Sequence, residues 1–136
     1  MTITIRLATP DDLPELHPMS ARLALHLGDE PRTPDMLARD AFILPGMRAL
    51  IARDGDVVGY VLMRLTRDAI TWRAGYEIAE LFVAEGHRGR GIGRRLVGAA
   101  RLLAQAEGRS SLSVTPSMAA LTGQMGVIRA MPMALA

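Results

Sequence analysis

The segment Arg88-Gly89-Arg90-Gly91-Ile92-Gly93 constrains this chain more than any other. It separates a run that reads as a strand, Ala74–Val83, from one that reads as an amphipathic helix ending near Glu107. On that helix Ile92, Leu96, Ala100 and Leu103 share one face, and Gly108 is the stop. Glycines between a strand and a helix let the backbone take positive φ and approach a ligand closely. The N–H groups of the helix N-terminus then point outward and suit a phosphate or pyrophosphate. Arg88, Arg90, Arg94 and Arg95 add positive charge in the same stretch.

Two familiar phosphate loops fail here. The dinucleotide pattern GxGxxG needs a glycine at Arg94 if it starts at Gly89, or at Leu96 if it starts at Gly91. The P-loop pattern fails because Gly93 and Gly98 are followed by Ala99-Ala100, with no Lys and no Ser or Thr. The strand before the loop also follows a hairpin meander, which is not a dinucleotide-fold arrangement.

That meander is legible upstream. Thr2–Leu7 alternates, with Ile3, Ile5 and Leu7 on one side, and predicts a first strand. Thr9-Pro10-Asp11-Asp12 predicts a helix running towards His26 and stopping at Gly28, with Pro14 and Pro18 disturbing its interior. Thr33-Pro34-Asp35 predicts a second helix ending near Ile43. Arg48–Arg53 and Val57–Leu65 read as strands around the tight turn Asp54-Gly55-Asp56. After the glycine loop and its helix, Ser111–Val114 reads as a strand, Ser117–Met125 as a final helix, and the last ten residues as one or two short strands. The expected fold class is α/β, with a mixed central sheet, flanking helices and a parallel β-α-β crossover around the loop. At 136 residues the chain is expected to be a single domain, 1–136.

Composition removes several chemistries. The chain has no cysteine, so disulfides, zinc–thiolate sites and thiol nucleophiles are excluded, and a cytoplasmic setting is expected. All 16 Lys+Arg positions are Arg, so no lysine can act as a base or a Schiff-base former. His17, His26 and His87 lack metal-ligand spacing, and no metal is expected. The stretch MTITIRLATPDD is not expected to act as a signal peptide, and no run is long enough for a membrane span. A net charge of +2 is weak support for nucleic-acid binding.

The pattern that fits the loop is Arg88-x-x-Gly91-x-Gly93, preceded by Leu81-Phe82-Val83 and the gap Ala84-Glu85-Gly86-His87. In this it resembles the GNAT superfamily of N-acetyltransferases, whose central motif is a strand, a short loop and [R/Q]xxGx[G/A] opening a helix. The stretch Asp54–Leu65 is similar to that family's second hairpin. The resemblance runs from about Ile3 to Val114 and weakens beyond. It implies transfer of an acetyl group from acetyl-CoA to a primary amine. The loop amides of Arg88, Gly89, Arg90, Gly91, Ile92, Gly93 and Arg94 would hold the pyrophosphate. The backbone of Leu81, Phe82 and Val83 would pair with the pantetheine arm, and the N–H of Phe82 or Val83 would polarise the thioester carbonyl.

An amine attacking a thioester needs a base, and the resemblance implies a carboxylate on this strand. Glu77 and Glu80 are the candidates, with Glu80 preferred. Simple alternation sends them to opposite faces unless a bulge intervenes, with Ile78 and Phe82 on one face and Ala79, Leu81 and Val83 on the other. The family's acid is a tyrosine in a YxxxGF-like segment near the end. Here Thr122 and Val127 stand at those positions, and only VIRAMPMALA follows Gly126. Tyr60 and Tyr76, the two tyrosines present, are expected to be packing residues.

A shortened C-terminal hairpin would leave an open strand edge, so a homodimer is expected. The acceptor pocket is expected along the first two helices, around Leu16–Asp40, with Asp29, Glu30 and Asp35 placed as an ordinary surface loop able to attract a cation. Two other classes fit parts of the sequence. One is an inactive CoA-binding module, suggested by Thr122 and the clipped tail. The other is a small nucleic-acid binder built on Arg88–Arg101; the lack of interleaved aromatics argues against it.

Overall fold

The computed structural model describes residues 2–114 and the backbone of residues 131–132. The elements are β1 (Thr4–Leu7), a 3-10 turn (Pro10–Asp12), α1 (Leu13–His26), α2 (Pro34–Ala38), a π-helical turn (Arg39–Ile43), β2 (Met47–Asp54), β3 (Asp56–Arg67), β4 (Ala74–Val83), α3 (Ile92–Ala106), β5 (Ser111–Val114) and β6 (Met131–Pro132). The six strands form one sheet in chain order. All neighbours pair antiparallel except β4 and β5, which are parallel, as expected across the glycine-loop crossover. Thr122, Val127 and the expected helix over Ser117–Met125 lie outside the described residues.

Helices cover both faces of the sheet. Leu16, Met19, Ser20 and Leu23 are the buried stripe of α1. The helix runs through Pro18, whose missing donor costs one hydrogen bond to the Pro14 carbonyl and does not break it. The buried stripe of α3 is Ile92, Leu96, Ala100 and Ala104. Leu103 packs partly buried against the core, as expected, and Ala104 beside it continues the buried stripe.

Gly59 of β3 shows how tightly α3 docks. A Cβ there would sit 2.9 Å from the Phe82 carbonyl oxygen and 3.2 Å from Leu96 Cδ1. Gly59→Ala is therefore expected to lose about 1–3 kcal/mol, measured by urea denaturation.

The corner between β1 and α1 is built on charge. Buried Asp12 accepts two bonds of 2.8 Å from Arg6 and one of 2.8 Å from the Thr9 N–H. The Arg6 hydrogen bonds, opposed by burial and helped by Thr9 and Arg53, hold the Asp12 carboxyl well below the usual carboxylate range. A depressed folded-state pKa means that this stabilisation is complete above the unfolded value of about 3.9 and is lost as pH falls below it. Asp12→Asn is expected to cost about 2–3 kcal/mol at neutral pH. Its gap to the native protein should close as unfolding is measured progressively below about pH 4.

Candidate functional site

The β4–α3 loop has a backbone that only glycine adopts easily. Gly86, Gly89 and Gly91 have φ of 90°, 77° and 78°. Gly91 is the N-cap of α3 in the left-handed conformation. The amides of Ile92, Gly93 and Arg94 form the first turn of α3 and have no partner within it. That turn contains no acidic residue, and Arg94 stands in it exposed, where the helix dipole disfavours a cation. An anion seated on this turn would satisfy both the amides and the arginine. Ile92 and Gly93 are themselves buried.

The arginines divide into separate roles. Arg88 turns back over β4: its Nε donates to the Val83 carbonyl at 2.8 Å, and its guanidinium carbon lies 5.3 Å from the centre of the Phe82 ring. Arg90 approaches His87 Nδ1 at 3.0 Å and Asp54 at 3.7 Å. Arg95 is not part of the loop's charge. It donates to the Ile3 carbonyl at 2.9 Å and ties α3 to the start of β1. A cavity of about 320 Å³ beside the loop is lined by Arg22, Leu25, His26, Phe82, Glu85 and Arg88.

The outer edge of β4 follows from its ladder. β5 pairs with β4 only at Tyr76, Glu77 and Ile78, so among the described residues no strand covers the outer edge at Leu81–Val83. The Ala84 N–H donates to the Val58 carbonyl at 2.8 Å. Alternation along an antiparallel ladder then turns the Phe82 amide towards β3 and those of Leu81 and Val83 outward. Of the two amides expected to polarise a carbonyl, the Phe82 N–H is committed to the sheet and the Val83 N–H is not.

A bulge decides where the glutamates go. The β3–β4 register pairs Leu62 with Glu80 and Met63 with Ile78, and leaves Ala79 without a partner. Glu77 faces Arg64 and Glu80 faces Leu62, so the two acids share the α1 side with Phe82. Ile78, Leu81 and Val83 share the α3 side. Simple alternation is corrected on this point: Ile78 and Phe82 do not share a face.

Glu80 is 9% exposed and lines a cavity of about 410 Å³ between α1, the segment carrying Asp29, Glu30 and Arg32, and β4. Its Oε1 accepts from the Tyr60 hydroxyl at 2.8 Å and from Arg32 Nη1 at 3.1 Å, and its Oε2 accepts from Arg32 Nη2. Arg32 also meets Asp40 at 2.9 Å and Ser20 at 3.0 Å. Burial, then the Glu80 charge and hydrogen bond, push the Tyr60 phenol well above its usual value. Tyr60 is therefore a donor to Glu80 and a poor acid. Glu77 bonds to the exposed Arg64 and does not line the cavity. Tyr76 bonds Glu107 at 2.9 Å at the far end of the sheet.

The sequence did not point to Arg32, Asp40 or Tyr60 as site residues. Arg32 sits in a polar segment that looks solvated, and its partner Glu80 is 48 positions away. In the structure Asp40 lies in a π-helical turn, closed by the Leu44 N–H bonding the Arg39 carbonyl at 2.9 Å, and such turns often mark functional sites. Among the described residues no group of His, Cys, Asp and Glu side chains is arranged to hold a metal, and no helix is long and apolar enough to cross a membrane.

Solved structures share this architecture. A ribosomal-protein-alanine N-acetyltransferase from Brucella melitensis biovar Abortus 2308 is 24% identical, with a TM-score of 0.74 over 99% of this chain and 98% of that one. A transcriptional regulator from Bacillus halodurans C-125 is 21% identical, with a TM-score of 0.74 over 93% of each chain. An aminoglycoside acetyltransferase from an uncultured soil metagenomic sample, in complex with sisomicin, is 14% identical, with a TM-score of 0.71 over 92% and 88%. At these identities the likeness is one of fold. No curated protein matches the sequence. The family model described as acetyltransferase (GNAT) family matches residues 13–122, and the chain belongs to that family.

Proposed function

We propose that the protein transfers the acetyl group of acetyl-CoA to an amine that enters through the cavity on the α1 side of β4, with Glu80 as the base. The observation that carries this reading is the bulge at Ala79, which keeps Glu80 on the α1 side of β4, where it lines that cavity, next in sequence to Leu81 with its outward amide. The first turn of α3 and the glycine loop would hold the pyrophosphate, with Arg90 and Arg94 at its rim. The outward amides of Leu81 and Val83 would pair with the pantetheine arm, and one of them would stabilise the oxyanion.

Acetyl-CoA supplies the acetyl group. The amine nitrogen bonds to the carbonyl carbon as the carbon–sulfur bond breaks, and the nitrogen's proton passes to Glu80. The departing thiolate needs no dedicated acid, since thiols have pKa values near ~8.5. Glu80 is preferred over Glu77 because it borders the cavity, while Glu77 is paired to an exposed arginine.

The test is a thermal-shift titration with acetyl-CoA, followed by thiol release with a panel of amines. The acceptors of the fold neighbours suggest the panel: an alanine-ended peptide and an aminoglycoside such as sisomicin. At a hundredfold excess over Kd the ligand should add about 2.7 kcal/mol, or roughly 8–13 °C. An unchanged melting temperature at saturating acetyl-CoA removes the proposal. A rise without thiol release from any amine points to a binding module.

A further inference from the structure

We propose that Arg32 and Asp40 are positioning residues for Glu80: Arg32 fixes the carboxylate so that only Oε2 is left to take a proton, and Asp40 supplies the counter-charge that lets Glu80 gain and lose it. The inference rests on the reading of Glu80 as the base.

A carboxylate oxygen has two lone-pair sites. Both sites of Oε1 are filled, by the Tyr60 hydroxyl at 2.8 Å and by Arg32 Nη1 at 3.1 Å. One site of Oε2 is filled by Arg32 Nη2, so among the described residues one remains open. A proton delivered from the cavity therefore goes to Oε2. Arg32 is held for this task along its whole length. Its Nε meets Asp40 at 2.9 Å, its Nη1 meets Ser20 at 3.0 Å, and its carbonyl oxygen lies 2.7 Å from His17 Nε2.

Charge balance gives Asp40 its part. Glu80, Asp40 and Arg32 have side chains only 11%, 18% and 24% exposed, and Arg39, itself 55% exposed, reaches Asp40 from the solvent side at 3.1 Å, so the two carboxylates and two guanidinium groups balance. When Glu80 takes the proton, Arg32 keeps Asp40 as its partner, and the charge left over rests on the solvated Arg39. With Arg32 and Glu80 alone, the same step would leave a partly buried guanidinium unbalanced, which is costly. Among the described residues the other groups around Glu80 are Tyr60 from β3, the Arg64–Glu77 pair beside it, Asp29 and Glu30 along the cavity, His17 of α1 behind Arg32, and Arg39 on the outer side of Asp40.

Carboxyl carbon NMR on glutamate-labelled full-length protein reads Glu80 directly, and E80Q assigns its resonance. In R32M the Glu80 resonance should change over at higher pH than in the native protein, since an opposite charge in contact is lost. In D40N it should change over at lower pH, since a like charge is lost. R32K should lie between R32M and the native protein, because a lysine keeps the charge and loses the paired geometry. If R32M does not fold, D40N carries the test alone. A midpoint in D40N at or above the native one, or in folded R32M at or below it, overturns the proposal. The measurement needs neither acetyl-CoA nor an acceptor. An E80Q protein that still releases thiol with an amine therefore removes the base reading separately from this result.

Discussion

Replacing Gly91 with valine is expected to abolish the rise in melting temperature that acetyl-CoA produces in the native protein. Gly91 has φ 78° and ψ 10°, and a Cβ placed there would meet nothing within 4 Å. The effect is thus conformational and not a clash. A β-branched residue disfavours the left-handed region strongly, so the loop would change course where it enters α3. The amides of Ile92, Gly93 and Arg94 would then no longer converge on one anion. Each charge-assisted bond to a phosphate is worth about 1.5–3 kcal/mol, so losing two of them weakens binding by at least about a hundredfold. The fold should survive, because Leu96, Ala100 and Ala104 hold α3 on the sheet. Gly98→Ala on the exposed side of the same helix is the control. It should keep the acetyl-CoA shift and add about 0.5–1 kcal/mol of stability. Equal shifts in Gly91→Val and native protein would move the cofactor away from this loop.

Glu80→Gln is expected to lower amine-dependent thiol release by about 10²- to 10⁴-fold, with acetyl-CoA affinity unchanged. The amide fills the same space and still accepts from Tyr60, and Arg32 keeps Asp40. What is lost is a group that can take the proton. Because the step lost is chemical, kcat and kcat/KM should fall together. Glu77→Gln makes the comparison decisive. Glu77 pairs with Arg64, whose side chain is 56% exposed, and surface pairs of this kind contribute little. If Glu77→Gln gives the larger loss, the base is Glu77 and the cavity beside Glu80 serves only to hold the acceptor.

Much of the frame was legible in the sequence because its signals are local. Ala74–Val83 and Ser111–Val114 were expected with the bounds they have, and the helix after the loop ends at Ala106, one residue from its expected end near Glu107. Continuous apolar runs and a glycine at the end of a periodic stretch carry that information in neighbouring residues. The bulge was not legible, since an unpaired Ala79 is set by the register against β3 and leaves no mark in the composition of β4. Arg95 looked like its neighbours Arg88, Arg90 and Arg94 until the helix turned it towards the Ile3 carbonyl, 92 positions away. Arg32 was hidden for the same reason. A guanidinium in a Gly-Asp-Glu-Pro-Arg segment looks solvated unless its distant carboxylates are known.

The unpaired Ala79 also works as a phase change along β4. Before it, Tyr76 and Ile78 face α3 while Glu77 faces α1; after it, the parity of residue numbers is reversed, with Glu80 and Phe82 on the α1 side. One strand thus supplies two carboxylates to a single wall, which an even pleat cannot do for residues three apart. Removing Ala79 would leave Glu77 and Glu80 two positions apart, and a regular pleat would still hold both on the α1 side. Drawing Ala79 into the ladder would instead put one half of β4 out of step and turn one of the two acids into the apolar layer under Leu96 and Ala100. The parity of this strand, more than the identity of any one side chain on it, determines which side of the sheet can carry out chemistry.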